Sequence, residues 1–407
     1  MIALDLSRLL SRAGRGTPTG IDRVELAYAQ HLIAGGAAAC FAATTVFGGL
    51  GLLPIPQAEA FVAAIGAAWR GEGDAAPNDW KVRRLAWRGH ARLAAAGERA
   101  LLARLRTTHD RPVYLLVSHH HLERPAVIAR LKARARARFI CLIHDVIPID
   151  YPEYAKPGQA ENHRNRIETA ARFADALIVN SAVTREALRP HLNRFGRAPP
   201  VLVAPFGLDL PTAAVDPAPP PDRPYFVYVS TIEARKNHLL LLNLWRQLAT
   251  EQGDSVPRLV LIGQRGWETE NVVDMLERCP ALRGVVIEHN SLPDSEMVRL
   301  LKGARALLLP SFAEGFGFPL IEAFAVGVPA LCSDIAALRE TGGGVAEYLD
   351  PLDGPGWRSA ILDYVEEPSP RRAAQLVRLA QWQPPRWRDH FASVEHFIGE
   401  TAAAARD

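Results

Sequence analysis

Between residues 306 and 341 the sequence reads ALLLPSFAEGFGFPLIEAFAVGVPALCSDIAALRET. It holds two carboxylates, Glu314 and Glu322, eight residues apart, with Gly315, Phe316, Gly317, Phe318, Pro319 and Leu320 between them. The apolar run ending at Pro310 predicts a buried strand, and Pro319 predicts a helix start, where a missing N–H costs nothing. Gly315 and Gly317 would let backbone come close to a ligand. The helix N-terminus that follows offers free N–H groups and a positive dipole end, a ready seat for phosphate. This spacing puts Glu314 in the loop and Glu322 in the first helical turn. Two carboxylates flanking a phosphate cradle are suited to gripping hydroxyls of whatever the phosphate carries. A second candidate lies in FICLIHDVIPIDYPEY (139–154), which puts His144 and Asp145 at the C-terminal end of a strand. Open α/β sheets carry their ligands there.

The elements that must position these groups follow from the alternation of short apolar runs with helical spacing. Strands are predicted at 2–6, 112–117, 139–143, 176–179, 201–204, 225–230, 258–263, 285–288 and 306–310. Stretches such as IDRVELAYAQHLI and RKNHLLLLNLWRQLA, lying between strands, predict helices, so parallel βαβ units in doubly wound sheets are expected. That strand count exceeds one ordinary sheet. The run PFGLDLPTAAVDPAPPPDRP (205–224) holds seven prolines in twenty residues and reads as a stiff connector. The expected organisation is therefore 1–205, a linker at 206–224, a second domain at 225–383 and a terminal helix at 384–407.

In combination, EGFGFPLIEA, the following GVP and SDIAALRE resemble the retaining nucleotide-sugar glycosyltransferases of family 4. The resemblance runs through about 225–353 and more weakly through the first half. It implies an α/β GT-B fold: two Rossmann-like, doubly wound parallel-sheet domains facing a central cleft, with the terminal helix crossing back to the first. It also implies that Glu314 holds hydroxyls of the donor sugar and Glu322 the nucleotide ribose, while backbone around Phe318, Pro319 and Leu320 faces the distal phosphate. The family's basic diphosphate clamp falls at VSTIEARKNH (229–238). There Lys236, with Arg235 beside it, would neutralise the departing diphosphate. Many relatives place an arginine at the position that is Thr231 here. The Gly-rich loop of the family corresponds to RGTPTGIDRVELAY (15–28), with Thr19 and Gly20 in place of Gly-Gly, and would approach donor phosphates or sugar. His144 would contact the donor sugar and the reaction centre.

The combination of TGIDRV, HDVIP and STIEARKN looks most like bacterial surface-polysaccharide mannosyl- or rhamnosyltransferases. GDP-mannose is therefore the leading donor and a polyprenyl-diphosphate-linked sugar the leading acceptor. A dTDP- or UDP-sugar donor, an epimerase and a non-catalytic sugar-nucleotide-binding protein stand as alternatives. The glycines at 14, 16 and 20 are spaced one residue too long for a dinucleotide fingerprint, which makes a nicotinamide site weak. No Asp-x-Asp and no Ser-His-Asp or Cys-His pattern is present, so metal-independent, cofactor-free transfer is expected. Three adjacent histidines, His119 to His121, cannot all face one metal, though one could serve the acceptor side.

The 407 residues are 48% hydrophobic and 22% charged, as in ordinary globular chains. Forty-seven basic against forty-four acidic residues is too balanced for a dedicated nucleic-acid binder. Four scattered cysteines suggest reduced thiols, and no segment reads as a signal peptide or membrane span. A cytoplasmic protein is expected. The charge is unevenly spread. From Lys81 to Arg106 there are eight basic residues and one acid, Glu98, with Trp69, Trp80 and Trp87 in or beside the stretch; five more basic residues lie between Arg130 and Arg138. These are either solvated helix faces or a surface drawn to anionic lipid at the inner face of the cytoplasmic membrane.

Overall fold

The computed structural model describes residues 1–36, 39–45, 48–72, 80–107, 111–195, 198–210, 216 and 222–403. Most of the proline-rich connector, 211–215 and 217–221, lies outside the described residues. The chain divides into two compact units. Unit 1 comprises residues 1–150, 157–207 and 386–407; unit 2 comprises 151–156 and 208–385. Residues 151–156, which no shift in composition marks, thus pack with unit 2.

Unit 1 is built on β1 (Ile2–Asp5), β2 (Ala39–Thr44), β3 (Leu50–Leu53), β4 (Val113–Leu116), β5 (Arg138–Ile143), β6 (Ala176–Val179) and β7 (Val201–Val203). Their order is β3-β2-β1-β4-β5-β6-β7. All neighbours are parallel except β2 and β3, which pair antiparallel from Phe41 opposite Leu53 to Thr44 opposite Leu50. The sequence gives no hint of that edge hairpin. The connection from Thr44 to Leu50 is too short for a crossover helix, so only an antiparallel return is open to it. Unit 2 carries β8 (Tyr225–Val229), β9 (Arg258–Ile262), β10 (Val286–His289), β11 (Leu307–Leu309), β12 (Ala330–Ser333) and β13 (Glu347–Leu349). Its sheet is wholly parallel in the order β10-β9-β8-β11-β12-β13. The nine predicted strands all form; β2, β3, β12 and β13 were not expected.

Both sheets are doubly wound, and each reverses direction beside its first strand. From β1 the chain builds outward through β2 and β3, then resumes on the other side with β4. From β8 it builds through β9 and β10, then resumes with β11. Crevices at such switch points, outside the carboxyl ends of the strands, are where these sheets take ligands. Each unit has its own apolar core, one around Phe226, Trp245 and Trp357, the other around Tyr114, Phe139 and Leu177. No helix among the described residues is long and apolar enough to cross a membrane.

Candidate active site

The unit 2 switch point gathers the chemistry. After β8 the chain runs extended through Ser230–Ile232 against the loop after β9: Ser230 N–H donates to Ile262 O (2.9 Å) and Ile232 N–H to Gln264 O (2.9 Å). Thr231 sits in this stretch. One 3-10 turn, Ala234–Lys236, then presents Arg235 and Lys236. Asn237 ends that turn in the left-handed region (φ 56°), which asparagine tolerates better than most residues. Its side-chain amide donates to Pro310 O (3.2 Å) and Pro351 O (3.0 Å), fixing the turn to the end of β11. Phe312 N–H donates to Arg235 O (2.8 Å) and the Tyr228 hydroxyl to Lys236 O (2.6 Å).

These backbone ties bring Arg235, Lys236 and Glu314 into one cluster. Lys236 Nζ donates to Glu314 Oε1 at 2.5 Å, and Ser311 Oγ donates to the same oxygen at 2.7 Å. Arg235 Nη1 reaches Glu314 Oε2 (3.3 Å) and Ala313 O (2.9 Å), while its Nη2 donates to Glu233 Oε1 (2.7 Å). Lys236, Glu233 and Glu314 are shielded from solvent on their side chains. Burial alone would raise the Glu314 carboxyl. The charges of Lys236 and Arg235, with the hydrogen bonds from Lys236 and Ser311, outweigh it and hold the group below its ordinary range. Burial lowers the Lys236 ammonium, and Arg235 adds to that effect against Glu314 and Glu233. Glu314 is thus an ionised acceptor, and the four charges balance.

The loop beyond Glu314 closes into the helix Phe318–Ala325, with Pro319 in its first turn as predicted. Gly317 caps it in the left-handed region (φ 89°), and a Cβ there would meet Leu338 Cδ2 at 2.6 Å. Phe316 O accepts from Thr341 Oγ1 (2.6 Å), anchoring the middle of the loop. The predicted place of Glu322 needs correction. It is the fifth residue of the helix, one residue further in than expected and so just past the first turn, and is buried. The reason is that the helix starts at Phe318, ahead of the proline. Leu320 is also buried, packed inward with the core.

In unit 1, Gly20 opens the helix Gly20–Ala34 behind an N-cap at Thr19. Thr19 and Asp22 form a reciprocal capping box: Thr19 N–H donates to Asp22 Oδ2 (2.8 Å) and Asp22 N–H to Thr19 Oγ1 (3.4 Å). Asp22 also accepts from Arg8 Nε (2.6 Å) and Arg12 Nε (3.1 Å). These partners overcome burial and hold its carboxyl below the usual range. His144 lies just beyond β5, buried. Its Nε2 donates to Val117 O (2.8 Å), which leaves Nδ1 with the lone pair, and its backbone N–H donates to His119 Nε2 (3.2 Å). Burial pushes the His144 imidazole down to about 4, so it is neutral. The histidine run splits, because successive residues face different ways: His119 packs against His144 and His163, while His121 bonds the Tyr114 hydroxyl (3.0 Å) beside Asp5. Among the described residues no group of three or more His, Cys, Asp or Glu is placed to hold a metal.

Sequence reasoning missed Glu233, Ser311, Asn237 and Asp22. The Thr-x-x-Asp spacing of a capping box could have revealed Asp22. Ser311 and Asn237 act across 73 or more residues of chain or through a loop turn, and carry no local signature.

A family model described as "Glycosyl transferases group 1" matches residues 212–343. Among curated proteins, "O-antigen chain mannosyltransferase B" of Escherichia coli is 35% identical over 163 residues, 40% of this chain and 42% of that protein. "Serotype-specific mannosyltransferase WbdA" of Escherichia coli is 30% identical over 235 residues, 53% of this chain and 28% of that protein. The chain therefore spans less than half the length of these relatives. Among solved structures, sucrose-phosphate synthase from Thermosynechococcus elongatus superposes with a TM-score of 0.66 over 99% of both chains at 16% identity, a likeness of fold. Residues 212–343 are thus a glycosyl transferases group 1 domain, carried in a chain of two parallel-sheet α/β units with the GT-B fold.

Proposed function

We propose that the chain is a hexosyltransferase of polysaccharide biosynthesis, moving mannose from GDP-mannose to a sugar hydroxyl with retention of configuration. The observation that carries this reading is the Arg235–Lys236–Glu314 cluster at the β8/β11 switch point. It joins two cations suited to a diphosphate with an ionised carboxylate suited to sugar hydroxyls. The mannosyltransferase relatives favour mannose over rhamnose or glucose. Glu314 Oε1 already accepts two hydrogen bonds, so Oε2 is the oxygen left to take a donor-sugar hydroxyl. Glu322 is assigned the ribose. Thr231, Gly20 and the backbone from Gly315 to Leu320 are assigned to the donor phosphates and sugar. His144, neutral and with Nδ1 as an acceptor, is assigned a donor-sugar hydroxyl.

In the step itself, the bond from the anomeric carbon to the diphosphate oxygen breaks, its electron pair leaving with the diphosphate. Lys236 and Arg235 meet that charge, without a metal. The acceptor oxygen bonds to the same face of the carbon, and its proton passes to the leaving phosphate oxygen. On this reading the acceptor is carried on a polyprenyl diphosphate, and the enzyme works at the inner face of the cytoplasmic membrane.

The test combines calorimetric binding of GDP-, UDP- and dTDP-sugars with transfer assays in the presence of EDTA. Lys236→Met and Glu314→Gln are expected to cut transfer by roughly 10²–10³-fold, as loss of one transition-state charge partner does. Each single variant also breaks a buried pair, at about 3–5 kcal/mol of stability. The double variant should regain much of that stability and none of the transfer, which separates folding from function. Full transfer by Lys236→Met and Glu314→Gln would overturn the assignment, and inversion at the anomeric carbon would overturn retention.

A further inference from the structure

The helix Trp80–Arg106 is left without a role by the donor site. Gly97 (φ 60°) divides it, which explains why its leucines drift around a single helical wheel. In its first part, Val82, Ala86 and Leu93 are buried. The opposite face is unlike an ordinary solvated surface. Trp80 is 66% exposed and Trp87 70% exposed, seven residues and therefore about two turns apart on one side. Lys81, Arg83, Arg84, Arg88 and Arg92 are exposed around them, and no acid lies between residues 80 and 97. The Arg84 guanidinium lies over the Trp80 ring at 4.5 Å.

The second basic stretch of the sequence behaves differently. Arg130 and Arg134 both face Glu98 (3.4 and 3.6 Å), Lys132 pairs with Asp175 (2.5 Å), and Arg138 is buried. Among the described residues none of Arg83, Arg84, Arg88 and Arg92 forms an ion pair. Most of the second stretch is paired or buried within the fold, whereas the first presents its charge outward together with two indoles.

We propose that the Trp80–Ala95 face is a docking surface for a bilayer containing anionic phospholipid. The indole ring is suited to headgroup depth because its body is apolar and its N–H is polar. Arginines beside it meet the phosphates, each worth about a fivefold gain in partition at an anionic surface. Charge alone would suit a nucleic acid equally, but two widely exposed indoles on the outer face of a helix suit the bilayer interface better. The proposal deepens the reading that places the enzyme at the membrane by naming the face that docks. Because vesicle binding is measured with no donor or acceptor present, its failure is distinguishable from failure of the sugar-transfer reading.

The experiment is co-sedimentation of the full chain with phosphatidylcholine vesicles, with and without phosphatidylglycerol, followed also by tryptophan emission. Binding is expected only with phosphatidylglycerol, with a blue shift, and with loss at ~1 M salt, where the screening length falls to about 3 Å. Trp80→Ser/Trp87→Ser and Arg84→Glu/Arg88→Glu should each weaken binding on the order of tenfold or more. Arg130→Gln/Arg134→Gln should not, and circular dichroism checks that every variant is folded. Equal binding to neutral vesicles, no binding, or unchanged binding by both face variants would overturn the proposal. So would tighter binding to a single-stranded RNA, or light scattering showing that the face instead joins two copies of the chain.

Discussion

Glu25 is a buried carboxyl one turn inside the helix that follows the Gly-rich loop. Oε1 accepts from Leu9 N–H (2.9 Å), and Oε2 has no hydrogen-bond partner among the described residues. Burial, reinforced by the nearby Asp5 carboxylate, pushes the group up to about 8. The folded state therefore keeps a proton that the unfolded chain releases near the ordinary glutamate value of ~4.3. Below that value both states are protonated and Glu25 costs nothing. As pH rises toward 8 the folded state binds more protons than the unfolded one, and stability falls by up to about 1.4 kcal/mol per pH unit. The buried His119, His144 and His163 act in the opposite sense: burial lowers all three, so their stability is lost as pH falls below the ordinary histidine range. The histidine contribution is common to the parent and to Glu25→Gln, so the difference between their two profiles isolates the carboxyl. Urea unfolding from pH ~6.5 to ~8 should show the stability of the parent falling relative to that of Glu25→Gln. Parallel profiles would mean that the carboxyl is ionised in the fold.

At the level of elements, the site depends on how closely two loops can run. Gly263 ends β9 at φ 153°, and a Cβ there would sit 1.9 Å from Ser230 O and 3.1 Å from Thr231 N. Gly263→Ala must push the loop after β8 away, and with it the turn that carries Arg235 and Lys236. Overpacking of this kind costs typically about 1–3 kcal/mol. The expected outcome is a lower unfolding midpoint with a larger loss of nucleotide-sugar affinity, read by calorimetry. Gly399→Ala is the control. It lies exposed in the helix Trp387–Ala403 with nothing within 4 Å of a new Cβ, and should gain about 0.5–1 kcal/mol. The same loops show what the sequence made legible. YFVYV and RLVLI are rich in branched and aromatic residues bounded by Pro and Gly, so β8 and β9 stood out. ACFAAT has little β preference, and EYL is three residues long, so β2 and β13 did not. Glu314 could be found because it opens a Gly-rich loop ahead of a proline-started helix, and Arg235 and Lys236 because VSTIEARKNH resembles the family's diphosphate clamp. Ser311 could not, since its role exists only once it bonds Glu314 beside a lysine 75 residues away in sequence.

For the molecule as a whole, unit 1 is completed by the last residues of the chain. His390 is buried with Nδ1 donating to Pro205 O (3.0 Å) and Nε2 facing the Tyr28 hydroxyl (2.7 Å). Phe391 meets Tyr28 edge-on at 5.0 Å and lies parallel to His31 at 3.9 Å, and His31 bonds Glu395 (2.8 Å). Gly207 lies so close to this segment that a Cβ would come within 2.1 Å of Trp387 N. Phe391, Val394 and Ile398 are buried, as are Tyr28 and Phe206, whose rings Phe391 and His390 cover. Stripping this helix away exposes several large apolar side chains, each worth about 1.5–3 kcal/mol when fully buried. It also leaves the buried Tyr28 hydroxyl without its partner, at about 1–3 kcal/mol more. The sum rivals the ~5–15 kcal/mol that holds a typical domain together. A chain ending at Pro385 should therefore lose hydrogen-exchange protection throughout β1, β4, β5 and β6. Strands β8 to β12, whose core contains no residue beyond Trp382, should keep theirs. His390→Ala, a milder lesion, should lower protection in the same strands without abolishing it. Equal loss in both sheets would show that the final helix stabilises more than the unit it packs in; no loss in either would show that its aromatic contacts are dispensable.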